Sequence, residues 1–105
     1  MCEKEFIRLF RICYPISKYH PKDNFYNYAF TKVPKWACNE NVVLFNKNVE
    51  DIEKLPGYKD SKQIREAASE ALKVYDNLCK NGCIKIPDSN LVMELNILKT
   101  YNDSN

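Results

Sequence analysis

The segment 61–80 constrains the fold of this chain more than any other part of its sequence. Its apolar residues recur at intervals of three and four, which places one continuous stripe on a helix: Ile64, Ala67, Ala68, Ala71, Leu72, Tyr75, Leu78 and Cys79. Asp60 or Ser61 is expected to cap its start, with Gln63 as the capping-box partner of Asp60. Gly82 is expected to end it. We therefore predict an amphipathic helix roughly 30 Å long over 61–80, around which the rest of the chain packs.

The N-terminal segment is predicted to form a second, shorter helix over residues 3–13. Its apolar residues share one face: Phe6, Leu9, Phe10 and Cys13. Pro15 disfavours helical geometry at Tyr14, so the helix is expected to end there and 14–24 to be a loop. Asn48 is a candidate N-cap for another short helix, which Pro56 and Gly57 would close.

Residues 90–101 fit two patterns. A helix would align four of them on one face: Leu91, Val92, Leu95 and Leu98. A strand would alternate Leu91, Met93, Leu95 and Ile97, in a hairpin turned at 87–90. Leu, Met and Glu favour the helix, as does the Pro-Asp-Ser sequence at 87–89, so we expect a helix here.

The segment 25–45 is rich in residues that suit a β-sheet. Residues 25–33 and the run from Val42 to Phe45 could form a small antiparallel β pair, although 25–33 also fits an aromatic helix. The predicted fold is therefore a single, mainly α domain over 1–105. The alternative is an α+β domain with a small antiparallel β pair in 25–45. The polar residues 102–105 are expected to be a disordered tail.

The sequence of 70–82, followed by Ile86-Pro87-Asp88-Ser89, resembles the second helix and exit of tetratricopeptide and pentatricopeptide repeats. No second copy follows at a period of 34 or 35 residues, whereas stacked repeats usually need at least about three copies. The resemblance implies a helical hairpin at this point of the chain.

Few residues could support catalysis. The chain has one histidine, His20, and two glycines, so it lacks the glycine-rich loop that cradles phosphate. A Cys–His pair would need a third group to orient the imidazole, and the sequence does not indicate one. Glu94 interrupts an apolar run, and burial would raise its pKa, but a position on a helix surface is expected. We predict a protein that is not an enzyme and binds no cofactor.

Five cysteines are expected to be free thiols, because the chain as given predicts a cytoplasmic protein. Its first residues are too acidic for a secretory signal, and no apolar run is long enough to span a membrane. Cys79 and Cys83 lie four positions apart, with Cys13, Cys38 and His20 as more distant candidate ligands. A thiol- or zinc-dependent protein centred on Cys79 and Cys83 is therefore the third functional hypothesis, although zinc sites usually pair ligands at both ends.

The first two hypotheses concern binding and rest on aromatic and lysine residues interleaved over 18–36. The candidate partner-binding residues are Lys18, Tyr19, Lys22, Tyr26, Tyr28, Lys32, Lys35 and Trp36. Tyr and Trp are enriched in protein interfaces, which favours a small regulatory or inhibitory protein that binds a larger protein. Stacking rings beside cations also suit RNA or single-stranded DNA. In either case, the same rings could instead be the core of the domain.

Two further features bear on partners and origin. The small residues Ala67, Ala68 and Ala71 would let another helix approach closely, within the fold or in a homodimer. The chain has thirteen lysines but only three arginines, and it has twelve asparagines. This bias in residue usage is typical of AT-rich coding sequence. It favours an inhibitor of a host system that a phage or mobile element encodes. No membrane partner is expected.

Overall fold

A computed structural model describes residues 2–19 and 39–102, which form four helices. They are α1 (Cys2–Ser17), α2 (Asn39–Glu53), α3 (Ser61–Lys80) and α4 (Ser89–Lys99). The described residues contain no strand, so the prediction of a mainly α protein is confirmed and the β pair is not supported. Residues 25–33, one half of that pair, lie outside the described part of the chain, as do 103–105 of the predicted tail.

The helices pack in the order α2, α1, α3, α4. α1 and α3 are antiparallel, because Cys2 lies against Cys83 and Arg8 pairs with Glu70 further along. α3 and α4 form an antiparallel hairpin, which is the arrangement that the repeat-like sequence implies. At one end of the hairpin, the Tyr75 hydroxyl accepts a hydrogen bond from the Asp88 N–H at 2.6 Å.

One apolar core joins the four helices. Its largest fully buried side chains are Phe10, Phe45, Leu9, Ile16, Ile52, Ile64, Leu78, Leu91, Leu95, Leu98 and Val74. The rings of Phe10 and Phe45 meet edge to face with centroids 5.3 Å apart, which joins α1 to α2. Such ring pairs stabilise a fold by about 0.5–1.5 kcal/mol beyond the burial of their area.

The predicted end of α1 at Tyr14 is wrong: the helix continues through Pro15 to Ser17. Pro15 removes one backbone hydrogen bond from the helix. Continuation instead places Ile16 on the buried face that Phe10 and Cys13 already form, where Ile16 is almost completely buried. Burial of such a side chain contributes about 1.5–3 kcal/mol, which offsets the lost hydrogen bond.

The interpretation of 42–45 as a strand and of Asn48 as an N-cap is also wrong, since both lie inside α2. Phe45, Val49 and Ile52 follow helical spacing, and Phe45 and Ile52 are fully buried. The Asn48 amide donates to the carbonyl of Leu44 at 2.9 Å, within the same helix. A compact apolar run is ambiguous, and packing on α1 selects the helix.

The prediction for 61–80 is confirmed at both ends. The Asp60 carboxylate accepts a hydrogen bond from the Gln63 N–H at 2.9 Å. The Gln63 side chain accepts from the N–H of Lys59 rather than of Asp60, so the capping box is displaced by one residue. Gly82 has a φ of +77°, the left-handed conformation that ends a helix.

Candidate partner-binding surface

The predicted partner-binding residues can be placed at two positions only. Lys18 and Tyr19 follow α1 within the described residues. The other six lie outside them: Lys22, Tyr26, Tyr28, Lys32, Lys35 and Trp36. His20 and Cys38 also lie outside. The role of 18–36 in binding therefore stays a prediction.

Lys18 makes contacts within the fold. Its ammonium group donates to the carbonyls of Glu53 and Leu55, the latter at 2.8 Å, at the C-terminal end of α2. It also lies 5.5 Å from the centre of the Tyr14 ring. A cation at this end of a helix satisfies carbonyls that have no partner within the helix. Lys18 thus joins the ends of α1 and α2.

Tyr19 is 8% exposed and belongs to the core. Its ring meets that of Tyr101 edge to face, with centroids 6.1 Å apart, and so joins the end of α1 to the residues after α4. At Tyr19, the structure therefore supports the alternative that the aromatic residues belong to the core.

Among the described helices, α4 is the one that carries two exposed large apolar side chains. Met93 and Ile97 are 54% and 40% exposed, one turn apart, opposite the buried Leu91, Leu95 and Leu98. We define the α4 outer face as the exposed residues on this side: Ser89, Asn90, Met93, Asn96, Ile97 and Thr100. Asn96 and Thr100 donate to carbonyls of their own helix. The face therefore combines an apolar centre with an uncharged polar border.

No formal charge lies on the α4 outer face. The two charged residues of α4 are Glu94 and Lys99, which helical geometry places about 100° and 120° around the axis from Met93. In contrast, α1 and α3 expose charges along their lengths, and the pair between Asp76 and Lys80, at 3.0 Å, is one example. α4 thus has one buried apolar side and, on its outer side, two apolar residues without a neighbouring charge, whereas the solvated face of a helix usually carries charged residues.

Glu94 borders the α4 outer face and differs from the expected solvent-facing carboxylate. One of its oxygens is buried and has no hydrogen-bond partner among the described residues. Burial raises the pKa of the Glu94 carboxyl above its usual value, because desolvation penalises the charged form. The carboxyl at the flank of the face therefore loses its charge at a higher pH than an ordinary glutamate does.

Two further apolar side chains are strongly exposed elsewhere. Ile86, in the loop between α3 and α4, is 88% exposed, and Val43 on α2 is 56% exposed. Ile86 lies two residues before Asp88, whose carboxylate caps α4 by accepting hydrogen bonds from the Asn90 and Leu91 N–H groups. Ile86 is therefore close in sequence to the outer face. Val43 stands beside exposed polar and charged residues of α2, so it is the natural control position.

The cysteines are arranged differently from the prediction of free thiols. Cys2 and Cys83 form a disulfide, with Cα atoms 5.9 Å apart. Cys13 is a buried free thiol whose pKa burial raises, and Cys79 is a half-buried free thiol. In this state the sulfur of Cys83 is bonded to Cys2 and cannot bind zinc together with Cys79. The described residues hold no cluster of three or more candidate metal ligands.

Comparisons with known proteins identify no relative: no family model, curated protein or solved structure matches the chain. Among the described helices, none is long and apolar enough to cross a membrane.

Proposed function

We propose that this protein is a small, non-enzymatic regulatory protein that acts by binding a larger protein. The α4 outer face is the surface that makes the contact. The observation that supports the proposal is the exposure of Met93 and Ile97 at the centre of a face without charge. Exposed apolar side chains with a polar border are the usual composition of a protein-binding site.

The composition of the α4 outer face determines the chemistry of the partner. An uncharged face disfavours partners that bind through ion pairs, because a charge buried against it would have no counterion. The matching surface is an apolar groove or the apolar face of a helix, with neutral donors and acceptors opposite Asn90, Asn96 and Thr100. Met93 suits such a contact, since its flexible side chain adapts to irregular surfaces.

The area available limits the affinity of α4 acting by itself. A helix of eleven residues is about 16 Å long. One face of such a helix buries much less area than the roughly 1,600 Å² of a standard interface. Ile86 would extend the contact. The aromatic–lysine segment, residues 18–36, would also extend it if it reaches the partner. We therefore propose that α4 provides the apolar centre of a larger interface.

The residue bias of the sequence favours an inhibitor of a host system that a phage or mobile element encodes. If this inhibitor acts in the cytoplasm, its Cys2–Cys83 pair would be kept reduced there. The second candidate remains RNA or single-stranded DNA, bound by the aromatic–lysine segment. Its support is the pattern of the undescribed residues 20–36, whereas Lys18 and Tyr19 are engaged in the fold. The two functions differ in salt dependence, because contacts to phosphate weaken steeply as salt rises.

An affinity capture with matched variants tests the proposal. Tagged wild-type protein, Met93→Lys, Ile97→Lys and the control Val43→Lys are incubated with host lysate, with and without nuclease. We expect one stoichiometric protein to bind the wild type and Val43→Lys in moderate salt, independently of nuclease. The two α4 variants should lose at least about tenfold in affinity, as expected for a buried lysine in an apolar contact.

Other outcomes would overturn the proposal. Equal capture by all four proteins would exclude the α4 outer face as the binding site. Recovery of nucleic acid that nuclease removes would favour the second candidate. If the protein that binds is a second copy of this chain, the function is self-association. Circular dichroism of each variant verifies that the helices are retained.

A further inference from the structure

Three cysteines lie at the same end of the helical array. Cys2 is the first residue of α1, Cys79 is in the last turn of α3, and Cys83 is in the loop that follows. All three side chains are half-buried against the same apolar core. Cys2 and Cys83 are bonded, and Cys79 is free. A disulfide and a free thiol thus occur together, which are the two reactants of thiol–disulfide exchange.

The end of α3 holds Cys83 close to Cys79. The N–H of Gly82 donates to the carbonyl of Cys79 at 3.1 Å, and the N–H of Cys83 donates to the carbonyl of Leu78 at 2.9 Å. These are the two hydrogen bonds of a Schellman motif, and the positive φ of Gly82 turns the chain back over the last helical turn. Cys83 is therefore folded back onto the turn that carries Cys79.

We propose that Cys2, Cys79 and Cys83 form a thiol–disulfide exchange site, in which Cys79 displaces Cys2 from Cys83. The Cys79 thiolate attacks the sulfur of Cys83, a bond forms between these two sulfurs, and Cys2 leaves as a thiolate. Cys79 gives its proton to solvent and Cys2 takes one up. The step needs no external oxidant or reductant, since one disulfide replaces another.

The exchange changes what the covalent bond joins. The Cys2–Cys83 bond fastens the start of α1 to the α3–α4 loop, over a sequence separation of 81 residues. A Cys79–Cys83 bond would be confined to the end of α3 and would leave the start of α1 without a covalent anchor. The first turn of α1 carries the exposed residues Glu3 and Lys4, and its release would be a conformational switch.

The environment of Cys79 sets the conditions for the reaction. Desolvation and the nearby Asp76 carboxylate raise the pKa of the Cys79 thiol, which lowers the fraction of thiolate at neutral pH. Exchange should therefore be faster at pH 8.5 than at pH 7. Cys13 is the matched control, because it is also a free thiol but is fully buried on α1.

Disulfide mapping by mass spectrometry tests the site in the full chain. Oxidised protein is incubated at pH 8.5, quenched in acid, alkylated and digested. We expect the wild type and Cys13→Ser to contain Cys79–Cys83 peptides and alkylated Cys2, whereas Cys79→Ser should keep Cys2 in its disulfide. Alkylated Cys2 in all three proteins, or in none, would overturn the proposal.

A second variant tests the reach of Cys79 without dependence on the exchange equilibrium. Cys2→Ser leaves Cys79 and Cys83 as thiols, and oxidised glutathione then supplies the oxidant. We expect an intramolecular Cys79–Cys83 disulfide to form. Stable glutathione adducts on both residues, with circular dichroism that shows the helices intact, would mean that the two sulfurs do not meet.

Discussion

Removal of the Cys2–Cys83 disulfide should lower the stability of the fold by a large and calculable amount. The bond closes a loop with a sequence separation of 81 residues, nearly the whole chain. Cross-linking restricts the unfolded chain, and the entropy that a loop of this length removes corresponds to about 4.5 kcal/mol at 25 °C. Residual structure in the reduced unfolded chain diminishes the effect, so we expect a loss of about 3–4.5 kcal/mol.

This loss is large against the total free energy of unfolding, which is about 5–15 kcal/mol for a domain of ordinary stability. The assay is urea denaturation followed by circular dichroism, with and without a phosphine reductant, and with the double variant Cys2→Ser/Cys83→Ser. A urea dependence of about 1.5 kcal/mol per molar predicts that the midpoint falls by about 2–3 M. The reduced wild type and the double variant should unfold together.

A change of less than about 1 kcal/mol in the free energy of unfolding on reduction would refute this prediction. That result would mean that the bond does not form in solution or that the unfolded chain already keeps its ends together. Cys13→Ser provides the control for cysteine replacement by itself. Its response to the reductant should equal that of the wild type, because Cys13 takes no part in the disulfide.

Three further substitutions test individual contacts. Gly57→Ala should destabilise the fold by about 1–3 kcal/mol in urea denaturation, because an added Cβ would lie 2.8 Å from the Cβ of Lys18 and 3.0 Å from its carbonyl oxygen. Asp60→Ala should cost about 1 kcal/mol in the same assay, since it removes the hydrogen bond from the Gln63 N–H at the start of α3. Glu94→Gln should raise the melting temperature at pH 7 but have little effect below the usual pKa of a glutamate. Burial raises the native pKa of Glu94, so the wild type matches this variant in acid and loses stability relative to it as the pH rises through the native value. Thermal melts of the wild type and Glu94→Gln between pH 3 and pH 8 would contradict this reasoning if their difference did not change with pH.

The sequence predicts α3 correctly because its local signals agree. Asp60 caps the start, Gly82 ends the helix, and most of the apolar stripe between them is buried. Leu72 and Cys79 of the stripe are only partly buried, and Val74, which the stripe omits, is buried as well. α4 follows from the Pro-Asp-Ser start and from helix propensity, although its residues also fit a strand. Where local signals agree, tertiary contacts have little left to decide.

The errors arise where tertiary contacts outweigh local preference. Pro15 disfavours a helix locally, yet burial of Ile16 extends α1 beyond it. The run from Val42 to Phe45 has strand propensity, yet Phe45 packs on Phe10 as part of a helix. Such outcomes depend on neighbours that are distant in the sequence, and propensity does not contain that information.

The candidate sites were partly visible in the sequence. Met93 and Ile97 appear there as half of an alternating strand pattern. Because α4 is a helix, the same two residues lie together on its outer face. The sequence therefore shows these apolar residues, but whether they share an exposed face depends on whether the segment is a helix or a strand. The pairing of Cys2 with Cys83 could not be predicted, because spacing pointed to Cys79 and Cys83 while the pairing depends on how α1 packs against α3.

Site-specific photo-cross-linking tests the central claim most directly. A photoreactive amino acid replaces Met93 on the α4 outer face or, as the control, Val43 on α2, and each protein is irradiated in host cells. We expect one discrete cross-linked protein from position 93 and none from position 43. Absence of a product from position 93, or the same products from both positions, would contradict the assignment of the α4 outer face as a protein-binding surface.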